Sequence, residues 1–73
     1  MKVTIDRAAG TFRMARGGWS LVEPVARLPD RLAFYRRLWS RGSKVKGGPG
    51  PWARHYEADV AALQAAAREL TDG

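Results

Sequence analysis

Ten consecutive residues, Gly42 to Pro51, hold four glycines and two prolines. Glycine loses the most backbone freedom on ordering, and proline lacks the donor that a helix or ladder needs. The run therefore divides the chain. Any fold must be built from the residues before it, from one remaining stretch after it, and from a connection between them. Its composition predicts a mobile loop over residues 42–51, from which Lys44 and Lys46 extend.

Before that loop the apolar pattern changes period. Val3 and Ile5 alternate with Thr4 and Asp6, and Phe12 and Met14 alternate with Thr11, Arg13 and Ala15. Period-two alternation marks half-buried strands. Arg7-Ala8-Ala9-Gly10 has the length of a hairpin turn, and Gly17-Gly18 breaks the second run before Trp19 and Leu21 begin a third. Pro24 ends the use of that third piece as a central strand. Leu28-Pro29-Asp30 then reads as a helix start, and the spacing predicts an amphipathic helix over 29–41. Leu32, Phe34, Tyr35, Leu38 and Trp39 fall on one arc, with Arg36, Arg37 and Arg41 opposite and Gly42 suited to the C-cap.

After the loop, Pro51 suits the first turn of a second helix over 52–70. Tyr56, Val60, Leu63, Ala67 and Leu70 form its apolar stripe, with Trp52 pinning the start. The stripe has few large aliphatics, so the residues beyond Leu63 are expected to fray and 71–73 to form a free tail. The fold class is α+β. It is a single small domain in which an N-terminal hairpin or meander over 1–22 packs on the central helix, followed by the loop and the C-terminal helix.

Composition removes whole classes of function. With no cysteine among 73 residues there is no disulfide, thiolate zinc site or sulfur nucleophile. A lone His55 cannot build a multi-histidine metal site, and no Ser, Asp or Glu stands beside it in a catalytic motif. Gly47-Gly48-Pro49-Gly50 lacks the Gly-Lys-Ser/Thr that completes a phosphate loop. The expectation is no enzyme, no metal and no cofactor. No apolar run approaches the roughly 20 residues of a membrane span, and the Met1–Asp6 start lacks the apolar block of a leader. These features predict a soluble intracellular chain with no membrane partner.

Charge is what remains to carry function. The net charge is +2 over residues 1–26, +7 over 27–54 and −3 over 55–73. A basic centre interleaved with aromatics favours nucleic acid or an acidic protein surface. Arg31, Arg36, Arg37, Arg41, Lys44 and Lys46 are candidates for phosphates, for an acidic partner anchored by Trp39 or Trp52, or for plain solubility. Neither Asn nor Gln lies on the polar face of the central helix, which weighs against base-specific DNA reading. A second candidate surface is the strand edge near Val3, Ile5, Thr11 and Arg13, where an extended partner segment can add a strand. Trp19 is expected in the core, as aromatics in strands usually are.

The whole chain, from Met1-Lys2-Val3-Thr4-Ile5-Asp6 through Phe34-Tyr35-Arg36-Arg37-Leu38-Trp39 to the alanine-rich end, resembles the small RNA polymerase-binding transcription regulators of lytic Xanthomonas bacteriophages. That resemblance implies action in the cytoplasm of the bacterial host on the β and β′ subunits of RNA polymerase, and the chain is expected to be a monomer. The resemblance also implies inhibition of host promoter transcription by weakening the σ factor's hold, and antitermination during elongation beside the emerging RNA. A shorter likeness, from Ser40 to Glu57, is to phage single-strand annealing recombinases. The sequence after Glu57 departs from them, and what that likeness implies is single-stranded nucleic-acid binding through basic charge and aromatic stacking.

Overall fold

The computed structural model describes residues 1–72. Strands β1 (Lys2–Asp6), β2 (Thr11–Arg16) and β3 (Trp19–Pro24) form an antiparallel meander in that order. A 3-10 turn at Val25–Arg27 leads into helix α1 (Leu28–Ser40), and α2 (Ala53–Asp72) follows the loop. The architecture is the α+β one that the change of period indicates.

Alternation sets the faces of the sheet. Register places Val3 beside Met14, Ile5 beside Phe12 and Met14 beside Leu21, so these five share one face. Phe12 and Met14, both from the central strand, are fully buried there. Leu28 from the start of α1 and Leu63 and Ala66 from α2 close the core over them. Leu32, Tyr35, Ala67 and Leu70 pack around its margin. Pro24 is the last residue of edge strand β3, where its missing N–H interrupts no ladder.

Three expectations need correcting. The sheet is covered by both helices, and α2 rather than α1 makes the extensive contact with β1. Helix α2 continues past Leu63 to Asp72, because Ala66 is small enough to bring its backbone close to the sheet and Leu70 then packs on the core margin. Of the expected tail, Thr71 lies in the last turn and donates its hydroxyl to the Ala67 carbonyl at 3.1 Å, while Gly73 lies outside the described residues. Trp19 is not in the core. It sits opposite Arg16 at the tip of the β2–β3 hairpin, 48% exposed, beside a hollow that Met1, Arg16 and Tyr35 also line.

The Gly/Pro segment is shorter of freedom than its composition suggests. Arg41 leaves the helix with extended backbone angles, and Gly42 turns the chain at φ +76°. Ser43 N–H donates to the Ser40 carbonyl at 3.0 Å, and Gly48 N–H to the Val45 carbonyl at 2.9 Å. Gly50 then returns to α1, donating its N–H to the Trp39 carbonyl at 2.9 Å. A Cβ at Gly50 would stand 1.9 Å from the Arg41 carbonyl oxygen, so only glycine permits this approach. The segment is a closed loop tied to the end of α1. Among the described residues no helix is long and apolar enough to cross a membrane.

Candidate functional site

The functional surface is defined partly by which charges the fold has already used. Asp59 lies on the inward face of α2 and is 1% exposed. Its Oδ1 is 3.2 Å from the α-amino group of Met1, and its Oδ2 accepts from the Arg16 guanidinium. That hydrogen bond, with the charge behind it, raises the Arg16 pKa above its ordinary value. Glu23, on the inward face of edge strand β3, takes Arg31 of α1 through both carboxylate oxygens. The Arg31 hydrogen bond lowers the Glu23 pKa, and the same bond raises that of Arg31. Arg31 is therefore a structural cation tying α1 to the sheet, and it leaves the set of candidate phosphate contacts.

Arg36, Arg37, Arg41, Lys44 and Lys46 form no ion pair among the described residues. All five are exposed and cluster on the second half of α1 and the loop that follows it. Arg37 sets its guanidinium carbon 6.0 Å from the centroid of the Phe34 ring, at the outer limit of cation–π attraction. Phe34 itself is 43% exposed, so it belongs to this surface and not to the core arc assigned from helical spacing. At 240° round the helix from Leu28 it points away from both sheet and α2.

Between the helices this surface sinks into a groove. Helix α2 runs back along α1, with the Tyr35 and Tyr56 rings 6.5 Å apart. Beside that contact lies a cavity of about 570 Å³. Arg36, Trp39 and Ser40 form its α1 wall at i, i+3 and i+4, with Arg37 at the rim. Glu57, Val60, Ala61 and Gln64 form the opposite wall, also on one helix face, and Gly47 closes one end. Trp39 is half-buried here. Trp52 contributes nothing to the core; it is 60% exposed and lies with its ring 5.6 Å from that of His55.

The strand-edge residues do not behave as one group. Val3 and Ile5 turn inward, so a partner at this edge meets the β1 backbone and not their side chains. Thr11 and Arg13 lie in the central strand, paired on both sides, and cannot accept an added strand. They instead line a shallow hollow on the outer face with Thr4, Asp6 and Val22. The structure thus brings Arg36, Arg37 and Trp39 together at the groove, with Arg41, Lys44 and Lys46 following in the chain, and it separates Thr11 and Arg13 from the strand edge.

Sequence reasoning missed Asp59. The signal was present, because Tyr56, Asp59, Leu63, Ala66 and Leu70 recur at three- and four-residue steps and place a carboxylate on the buried stripe. The groove was also missed, since it depends on how α1 and α2 pack. Among the described residues no group of three or more His, Cys, Asp or Glu is placed to hold a metal ion. No protein-family model, curated protein or solved structure matches the chain.

Proposed function

We propose that this chain is a non-enzymatic binding protein of bacterial RNA polymerase, encoded by a phage and acting in the host cytoplasm. In this reading it contacts the β and β′ subunits, lowers promoter transcription by weakening the hold of the σ factor, and promotes antitermination on the elongating enzyme. The polymerase assignment rests on the full-length sequence resemblance. The structural observation that supports it is the cluster of five cations with no carboxylate partner among the described residues, beside a groove carrying Trp39. Unpaired arginines around an aromatic anchor suit an interface in which charge steers encounter and a desolvated centre holds it.

The test uses the purified full chain with purified bacterial RNA polymerase core and holoenzyme. The proposal expects co-elution with the core enzyme at moderate salt, loss of σ-dependent promoter transcripts and increased read-through at a terminator. Absence of co-elution rules the reading out. Salt-sensitive retention of single-stranded oligonucleotides by the protein alone, without polymerase binding, would replace it with plain nucleic-acid binding.

A further inference from the structure

We infer that the groove between α1 and α2 is a docking site for an acidic peptide segment of a protein, seating its apolar side chains between the helices with its carboxylates along the α1 side. This deepens the polymerase-binding reading and rests on it only for which protein carries the segment. The floor supplies the apolar part. Trp39 from α1 faces Val60 and Ala61 from α2 across about 570 Å³, room for more than one side chain of an incoming segment. Ala61 matters by its smallness, because its exposed methyl leaves the α2 wall recessed.

Charge complementarity selects the occupant. Arg36 stands on the α1 wall with no ion pair among the described residues, so a carboxylate of a bound segment meets a guanidinium able to take it in a two-pronged bond, and Arg37 at the rim, its guanidinium beside Phe34, adds positive field. Glu57 on the opposite wall is the groove's single acid. A nucleic-acid backbone carries phosphate at every step and would place some of it against that carboxylate, whereas a peptide can keep its acids on one side. The loop lysines Lys44 and Lys46, which would strengthen a phosphate track, do not line the groove. An amphipathic segment with its apolar face down and its acids towards α1 satisfies both walls.

The experiment measures fluorescence anisotropy of three labelled probes against the full chain. They are a short helical peptide with leucines on one face, glutamates along one flank of that face and glutamines elsewhere, the same peptide with lysines replacing the glutamates, and a single-stranded RNA oligomer. Expected is saturable binding of the acidic peptide, at least about tenfold tighter than the lysine peptide. Ala61→Phe fills the recess and should weaken the acidic peptide at least about tenfold while circular dichroism stays that of the wild type. Arg36→Glu with Arg37→Glu should reverse the preference in favour of the lysine peptide. No binding of the acidic peptide, equal binding of both peptides, or indifference to Ala61→Phe overturns the inference. RNA binding that is unaffected by Ala61→Phe and excludes the peptide makes the surface a nucleic-acid one. If Ala61→Phe binds polymerase like the wild type, the groove assignment fails and the polymerase reading stands. If the peptide binds as expected and polymerase does not, the reverse holds.

Discussion

Arg16, the last residue of β2, pairs with the buried carboxylate of Asp59 on α2, 43 positions further along the chain. The Arg16 side chain is 56% exposed and that of Asp59 1%, so water reaches one partner and hardly the other. Such a pair adds little when intact, but removing the buried half's counter-charges or the buried half itself is costly. Asp59→Ala should therefore destabilise the domain by about 2–4 kcal/mol, leaving the neighbouring Met1 α-amino group buried without a partner. Arg16→Ala should cost visibly less. Urea unfolding of the two variants in parallel checks the order.

Gly50→Ala tests the loop closure. A methyl group at this position meets the Arg41 carbonyl oxygen at 1.9 Å, and the backbone has to shift to admit it. The expected loss is about 1–3 kcal/mol, with each kcal/mol lowering the melting temperature by about 4–8 °C in a domain of this size. Lys46→Ala, exposed in the same loop, should stay within about 0.5 kcal/mol of the wild type. Thermal melts of both variants distinguish a packed closure from a free linker.

The Glu23–Arg31 pair predicts a pH dependence of definite sign. Arg31 lowers the Glu23 pKa in the folded state below its ordinary value of 4.5. The unfolded chain then binds the proton more readily, so this pair's stabilisation is fully present above that value. It is lost as pH falls through 4.5 and on through the lower folded value. Glu23→Gln should be less stable than the wild type at pH 7 and converge with it in strong acid. Denaturant midpoints measured across that range supply the comparison.

The C-terminal helix is part of the fold, and amide exchange should register it. Protection is expected to continue through Ala66 and Ala67 towards Leu70, well past Leu63. Leu63→Ala removes a fully buried side chain and should lower stability by about 2–5 kcal/mol, a large fraction of what a domain of this length possesses. Loss of protection across the sheet as well as α2 in that variant would demonstrate a single cooperative unit.

If the proposed polymerase binding holds, charge reversal at Arg37 and Arg41 should slow association with RNA polymerase and flatten its salt dependence, leaving the fold intact. Arg31→Glu serves as the contrast. It sets a carboxylate against Glu23 and should reduce stability instead. Stopped-flow association at two salt concentrations separates the two effects. Unchanged rates for the Arg37 and Arg41 variants would show that these cations are merely solvated.

Much of the architecture was legible from local pattern. The alternation of Val3 and Ile5, and of Phe12 and Met14, predicts both the strands and the face they bury, because a strand's side chains point to opposite sides in turn. Pro29 and Asp30 likewise mark the start of α1 within its own first turn. What was not legible depended on packing between distant segments. Trp19 fell at the hairpin tip beside Met1 and Tyr35, and the fate of Phe34 turned on which part of a wide apolar arc meets α2. Arg31 looked like its neighbours Arg36 and Arg37 until the sheet brought Glu23 against it. The β1 edge was read correctly as an edge only for its backbone, since Thr11 and Arg13 acquire a second neighbour once β3 folds back.

The order in which the core is completed has a consequence for synthesis. Phe12 and Met14 leave the ribosome early, in a hairpin whose turns span only a few residues, yet Leu63 and Ala66 are needed to cover them. First and last elements touch, α2 against β1, so the nascent sheet has only Leu28 and the α1 margin over it until α2 completes the roof. Vectorial folding, in which finished parts consolidate as they emerge, leaves this core incomplete before α2 arrives. Until α2 has joined, the inner face of the meander is a sticky surface, and truncated products ending in the Gly/Pro loop should aggregate.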